Sequence, residues 1–162
     1  MQPNTEAFKD ASLRFLSDER VLSAALATID EAGQPHNAIV YFYTDEDFNF
    51  YFLTPTDTNK HKNLRHNRNV ALAVANNKEY TTVQVEGTAA LLEKGSEEEN
   101  TALAYLKNRL IDAQVTWPIY QLADYDDNTI AVFKVVPTAL RYLNLEKENG
   151  LPITENGLVT VM

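Results

Sequence analysis

The sequence predicts a mainly β fold: an antiparallel barrel of about six strands, closed or nearly closed, with flanking helices. Three observations carry this. Runs rich in Val, Ile, Tyr and Phe recur at short intervals. Tight polar connections, Glu31-Ala32-Gly33-Gln34 and Asp45-Glu46-Asp47 among them, separate the runs and give an antiparallel meander. The helical patterns lie outside the main strand run, which suits a barrel covered from outside.

The elements follow in order. Thr5 to Asp18 places Phe8, Ala11, Phe15 and Leu16 at near-helical spacing, with Thr5 as the cap. Leu22 to Asp30 is the first strand. Gly33 supplies the positive φ that the next turn needs. Pro35 to Thr44 is the second strand and Phe48 to Thr54 the third. Pro55 and Thr56 end the third strand, and Asp57 or Thr58 caps a short helix to about His66, with Leu64 facing inward. Asn69 to Ala75 and Thr81 to Leu92 are the fourth and fifth strands; Gly87 marks a bulge or bend in the fifth. Ser96 caps a helix through Leu110, with Glu99 three residues on in the capping-box position. A short helical stretch surrounds Trp117 to Ala123, with Pro118 at its start. Asn128 to Asn144 is the last long strand, with Pro137 at an edge or bulge. From Leu145 the chain reads as loosely structured. No repeat or linker divides the 162 residues, so residues 1–162 read as one domain.

Composition narrows the function. The absence of cysteine excludes disulfides, thiolate metal sites, iron–sulfur clusters and cysteine nucleophiles. Met1 to Asp10 is polar and mixed in charge, unlike a signal peptide. The best apolar stretch, Val21 to Ile29, is far shorter than the ~20 residues of a membrane helix. A cytoplasmic location is the expectation, without a membrane partner. A net charge of -9 disfavours nucleic-acid binding. Yet Lys60, Lys62, Arg65 and Arg68 cluster with His61 and His66, and Asp57 is the acid nearby. Pattern alone leaves two readings open: a solvated basic helix face, or a seat for a small anion. His61 and His66, five apart, do not share the helix face that a metal pair requires. No Ser-His-Asp arrangement or G-x-S-x-G motif points to a hydrolase. The aromatics from Tyr41 to Phe52 read as barrel core and subunit interface.

The stretch Leu53 to Leu64 carries the most chemistry. A strand ends, hydroxyl residues and an Asn follow, and a helix opens with two lysines. Hydroxyls, open N–H groups at a helix start and ammonium groups are what a terminal phosphate requires. Lysine would act there as a point charge, without the bidentate geometry of arginine.

Taken in order, Gly33, Pro35-His36, Leu53-Thr54, Thr58-Asn59-Lys60, Asn63-Leu64, Asn69-Val70-Ala71-Leu72 and Val83-Gln84-Val85-Glu86-Gly87 resemble the pyridoxamine 5′-phosphate oxidase-like family of FMN-binding split β-barrels. The resemblance covers about Val21 to Leu92, and Val135-Val136-Pro137 and Arg141-Tyr142 are compatible with it. It implies a six-stranded antiparallel split β-barrel and bound FMN. It implies that Asn37, Ala38, Ile39 and Val40 lie along the flavin ring, with Leu53 and Thr54 at the end of the third strand. Thr58, Asn59 and Lys60 would form the phosphate loop, helped by Lys62, and Thr82 would add a polar contact from the fifth strand. It also implies a homodimer with flavin at the subunit interface, where Trp117 is a candidate to cover the neighbour's flavin.

Departures from the family pattern bear on activity. Oxidases of vitamin B6 phosphates usually carry Arg at the positions of Asn37 and Asn59 and Lys at that of Phe42. Their C-terminal arginine segment is not evident in Leu145 to Met162. The sequence is therefore expected not to be a vitamin B6 oxidase but to resemble the general-stress-protein and flavin-reductase-like branch. The implied function is an FMN-dependent oxidoreductase of unread substrate. The alternatives are a non-enzymatic flavin-binding stress-related protein and a barrel for another cofactor, a deazaflavin or haem.

Overall fold

Alternation of apolar and polar residues decides which face of each strand turns inward. The computed structural model describes residues 5–76, 78–115, 129–148, 150–155 and 157–162. Its strands are β1 (Ser23–Ile29), β2 (Pro35–Thr44), β3 (Phe50–Pro55), β4 (Asn69–Asn76), β5 (Thr81–Leu91), β6 (Ile130–Asn144) and β7 (Val159–Thr160), and its helices are α1 (Thr5–Ser17), α2 (Asn59–His66) and α3 (Glu97–Asp112). Ala24 and Leu26 of β1, Val40 and Phe42 of β2, Phe50 and Phe52 of β3, Leu72 and Val74 of β4, Val83 and Val85 of β5, and Leu140 and Tyr142 of β6 meet in one buried cluster. Each large apolar side chain so buried contributes about 1.5–3 kcal/mol.

All pairings are antiparallel, in the order β3-β2-β1-β4-β5-β6-β7, and β3 also pairs with β6. That last pairing closes a six-stranded barrel. Its register runs from Phe50 opposite Val135 to Pro55 opposite Ile130. Directly opposed Phe52 and Phe133 stack with ring centroids 5.6 Å apart, the cross-strand contact that stabilises such pairs.

Two hairpins share one loop design. Asp30 accepts from the N–H of Gly33 and donates its own to Gln34, and its carboxylate accepts from the amides of Ala32 and Gln34. Asp45 does the same with Phe48, Asn49 and Asp47. Gly33 has φ +78° at the left-handed position of the first loop, and Phe48 has φ +64° at that of the second. β3 therefore begins at Phe50 rather than at the expected Phe48, because Phe48 closes the turn while its ring enters the core.

Outside the barrel, α3 covers Tyr51, Val132 and Leu53 through Ala102 and Leu103. Ser96 caps α3 and accepts from the Glu99 N–H. The Glu99 carboxylate accepts from Gly95 N–H at 2.6 Å, one residue before the position a capping box uses. The guanidinium of Arg109 on α3 donates to the carbonyls of Leu16, Ser17, Asp18 and Val21, tying α3 to the corner between α1 and β1.

Two further expectations are corrected. Thr5, expected as the cap of α1, is already helical. The tail expected to be loose is docked: Val159 and Thr160 pair with Tyr142 and Arg141, and Val161 is buried. Asn144 holds the return by donating to the carbonyls of Glu146, Leu151 and Pro152. Trp117, Pro118 and the rest of the helical stretch expected there lie outside the described residues.

The β5–β6 register shifts after Glu86, which faces Ala139 while Gly87 faces Pro137. Gly87 and Pro137, expected separately as bulge markers, belong to one bulge. A Cβ on Gly87 would lie 2.5 Å from the Val136 carbonyl oxygen and 3.1 Å from Pro137 Cα. Gly87→Ala is expected to destabilise the fold by about 1–3 kcal/mol through backbone displacement. Urea unfolding at unchanged slope checks it, and a wild-type midpoint would remove the steric account.

Candidate functional site

The basic stretch becomes a defined loop because both of its ends are fixed. At the front, Thr56 N–H donates to the Thr129 carbonyl at 2.8 Å, just past the end of the β3–β6 pairing. At the back, Asn67 N–H donates to Asn63 O and ends α2. Between them Leu64 is buried against the barrel, and Asn63 Nδ2 donates to Thr28 Oγ1 of β1 at 3.0 Å. This last contact is a buried latch that the sequence did not reveal.

Thr58, not Asp57, is the cap, with extended backbone and its hydroxyl accepting from His61 N–H. Thr58 Oγ1 also donates to Pro55 O at 2.9 Å and lies 2.8 Å from Thr54 Oγ1. A hydroxyl has one proton to give, so Thr54 donates to Thr58. The Thr58 hydroxyl is thereby fully engaged inside the loop. Thr54 is fully buried, and Thr58 half-buried. What the loop presents outward is the open N–H groups of the first turn of α2 and the side chains of Asn59 and Lys60.

Lys60 is half-buried, and burial pulls its ammonium pKa below the usual lysine value. It makes no ion pair among the described residues, in a chain with 23 acidic residues against 14 basic ones. Residues two apart on a helix face different sides. Lys62 accordingly turns away from Lys60, sharing with Asn59 a cleft of about 260 Å³ against Asp30 and His36 of the β1–β2 hairpin.

On β2, Asn37 and Ile39 face outward and Val40 is buried in the core, with Ala38 between them half-buried. Asn37 lies opposite Ala27 and Ile39 opposite Ala25; across β1 these alanines face Ala71 and Ala73 of β4. The result is a shallow outer face floored by small side chains and bordered by Gln84 and the Glu86–Arg141 ion pair, with Ile39 67% exposed beside it. Leu53 is half-buried under α3. Thr82 pairs with Ala75 and Leu143, six residues along β5 from Thr88, whose partner Asn69 follows α2. That is about 20 Å of strand, so within one chain the barrel holds Thr82 at the far end of β4 from α2. Trp117 lies outside the described residues.

A strand–loop–helix with an uncompensated lysine, on a six-stranded barrel with an open outer face, is the arrangement to compare with known proteins. A family model described as pyridoxamine 5'-phosphate oxidase matches residues 8–144. The chain belongs to this family. Among curated relatives, a pyridoxine/pyridoxamine 5'-phosphate oxidase of Burkholderia mallei is 32% identical over 117 residues, 72% of this chain and 51% of that protein. The chain thus spans about half the length of the curated relatives it matches. Among solved structures, general stress protein 26 of Bacillus anthracis aligns with a TM-score of 0.61 at 18% identity, covering 86% of this chain and 95% of that one. A heme binding protein of Mycobacterium smegmatis aligns at 0.68 and 14% identity, over 99% of this chain and 58% of that one. These two likenesses show the fold.

Among the described residues of this family member, no helix is long and apolar enough to cross a membrane. No group of three or more His, Asp or Glu side chains is placed to hold a metal ion there. His61, read from sequence as part of the basic cluster and as an unsuitable metal partner, is buried with its ring edge-on to Phe133. The signal for that burial was its place three residues before Leu64, on the same side of α2.

Thr58→Ala removes the cap and the acceptor for Thr54 together. A loss of about 1–2 kcal/mol is expected in urea unfolding, largely restored by Thr58→Ser. Equal stability of all three proteins would show that the loop does not depend on this hydroxyl.

Proposed function

We propose that this chain binds FMN and acts as a flavin-dependent oxidoreductase, in the stress-protein and flavin-reductase-like branch of its family rather than as a vitamin B6 oxidase. The observation that carries the reading is Lys60: a partly desolvated ammonium group without a counter-ion among the described residues, beside the open N–H groups that start α2. A phosphate placed there would supply the missing negative charge and accept from those donors. The fit is narrower than in the vitamin B6 oxidases, because Asn37 and Asn59 stand where those enzymes usually carry arginine. Lys62, on another side of α2, would assist only across the helix start.

FMN, when bound, supplies the hydride or electron chemistry. The protein's share is binding and orientation. Lys60 holds the phosphate, the Thr54–Thr58 hydroxyl pair fixes the loop that carries it, and the Asn37–Ile39 edge of β2 borders the ring. Leu53 acts from behind, by seating β3 under α3. Thr82 is too far along β5 to join the same site within one chain, which supports a homodimer in which it serves the partner's flavin at the interface. The alanine floor at Ala25, Ala27, Ala71 and Ala73, with Ile39 exposed beside it and the Glu86–Arg141 pair at its border, supports that assembly. An acidic, cysteine-free chain suits a cytoplasmic setting.

A second reading draws on the Mycobacterium smegmatis heme binding protein, whose fold this chain shares. The absorption spectrum and mass of whatever co-purifies separate flavin from haem or deazaflavin. Steady-state reduction of the flavin-loaded protein by NADH or NADPH separates an enzyme from a flavin carrier without turnover.

Lys60→Ala is expected to weaken FMN binding by about tenfold or more, the loss of a charge-assisted contact of about 1.5–3 kcal/mol. Fluorescence titration measures it, and an unchanged affinity would falsify the phosphate assignment. Wild-type protein at a hundredfold excess of FMN over Kd should gain about 2.7 kcal/mol of stability, read as a higher Tm. Ile39→Glu places a charge on the open face and is expected to yield a folded monomer with weakened flavin binding. Sedimentation of an intact dimer would move the interface elsewhere.

A further inference from the structure

The side of α2 turned away from Asn59 and Lys62 borders a second cavity. A cleft of about 520 Å³ opens between α2, the end of β5 with the turn into α3, and the start of β6. That volume lies within the ~300–1,000 Å³ typical of small-molecule sites. Its apolar wall is Leu91, Leu92, Ile130 and Ala131. The wall is fixed by the main chain, since Leu92 N–H donates to Val132 O at 2.9 Å.

Two polar groups converge on this wall from α2. His61 is only 9% exposed, and its imidazole nitrogens make no hydrogen bond among the described residues. Its ring nitrogens are not sealed in the core, as Arg109 Nε is, but reach the cleft, where a ligand can hydrogen-bond to them in place of water. Arg65, one turn along on the same side of α2, lines the cleft and makes no ion pair among the described residues. The other charges facing the cleft are already committed or exposed. The Glu99 carboxylate accepts from Gly95 N–H at 2.6 Å, and Glu93 and Lys94 are exposed neighbours of opposite charge.

We propose that this cleft is a second binding site, separate from the phosphate loop, for a small carboxylate with an apolar body. Arg65 pairs with the carboxylate in the fork geometry that guanidinium offers. His61 donates a further hydrogen bond, and the Leu91–Leu92 and Ile130–Ala131 wall takes the apolar portion. Burial and the nearby Arg65 hold the His61 pKa below the usual histidine value, so the free ring is neutral near pH 7. A bound carboxylate would offset the repulsion from Arg65 and accept a hydrogen bond from the protonated ring, both of which favour the charged form.

The chain has three histidines, His36, His61 and His66, so ring NMR of the isotopically labelled full-length protein resolves the site. Benzoate is the probe and hexylamine the cationic control. Millimolar benzoate is expected to shift the His61 ring saturably, more than the other two rings, and to raise its midpoint of titration. Hexylamine should leave it unmoved, and saturating FMN should not displace benzoate. Arg65→Gln, an exposed helix-compatible change, should weaken benzoate about tenfold. The proposal is overturned if benzoate leaves His61 unmoved, if hexylamine matches it, or if Arg65→Gln binds as wild type. Displacement of benzoate by FMN would likewise overturn it, by merging the cleft with the flavin site.

Discussion

β6 is the strand on which the molecule depends. It hydrogen-bonds to β5 along one edge and divides the other between β3 and β7. Without the β3–β6 ladder the meander would be an open sheet with two unpaired edges, and its aromatic residues would lack the opposite wall. The bulge at Gly87 and Pro137 lets one long strand satisfy these neighbours, because it bends β6 where its second-edge partner changes from β3 to β7. The close approach at Gly87 is thus a condition of closure.

Closure also sets the chemistry of the loop after β3. Since β3 is held to Pro55 opposite Ile130, and Thr56 continues onto Thr129, α2 starts from a fixed point and lies across the end of the barrel. Its two lysines then meet different environments: Lys62 is exposed, while Lys60 is half-buried and partly dehydrated. Among the described residues no carboxylate offsets the partial dehydration of that cation. The same geometry turns His61 and Arg65 toward a different cavity, so one short helix serves two sides with unlike surroundings.

Much of this was readable in the sequence where the determinants are local. The Gly33 turn after β1, the Ser96 cap and the alternation of β4 and β5 are each decided within a few residues, whereas the α2 cap was left open between Asp57 and Thr58. Phe48 misled because a left-handed turn position usually advertises itself by glycine, whereas here an aromatic anchor holds the conformation. The docked tail was invisible because its partner residues, Leu140 to Asn144, also read as an ordinary strand on their own. Within the candidate site, Thr54 to Lys62 was legible as a contiguous strand–loop–helix. Their individual roles were not: that the Thr58 hydroxyl is engaged internally, that Lys62 faces away, and that Thr82 lies far along β5 are consequences of register and helical phase.

Arg109 reaches four carbonyls at the end of α1 and the approach to β1, with its guanidinium 5.6 Å from the Phe42 ring. Its Nε is buried with no partner among the described residues, so the group gains little by staying in place if those carbonyls depart. If α1 detaches alone, this charge loses acceptors beside an apolar ring; if α3 detaches alone, the carbonyls lose their donor. One side chain thus couples the two helices, and their amides are expected to open as one cooperative unit in native-state hydrogen exchange.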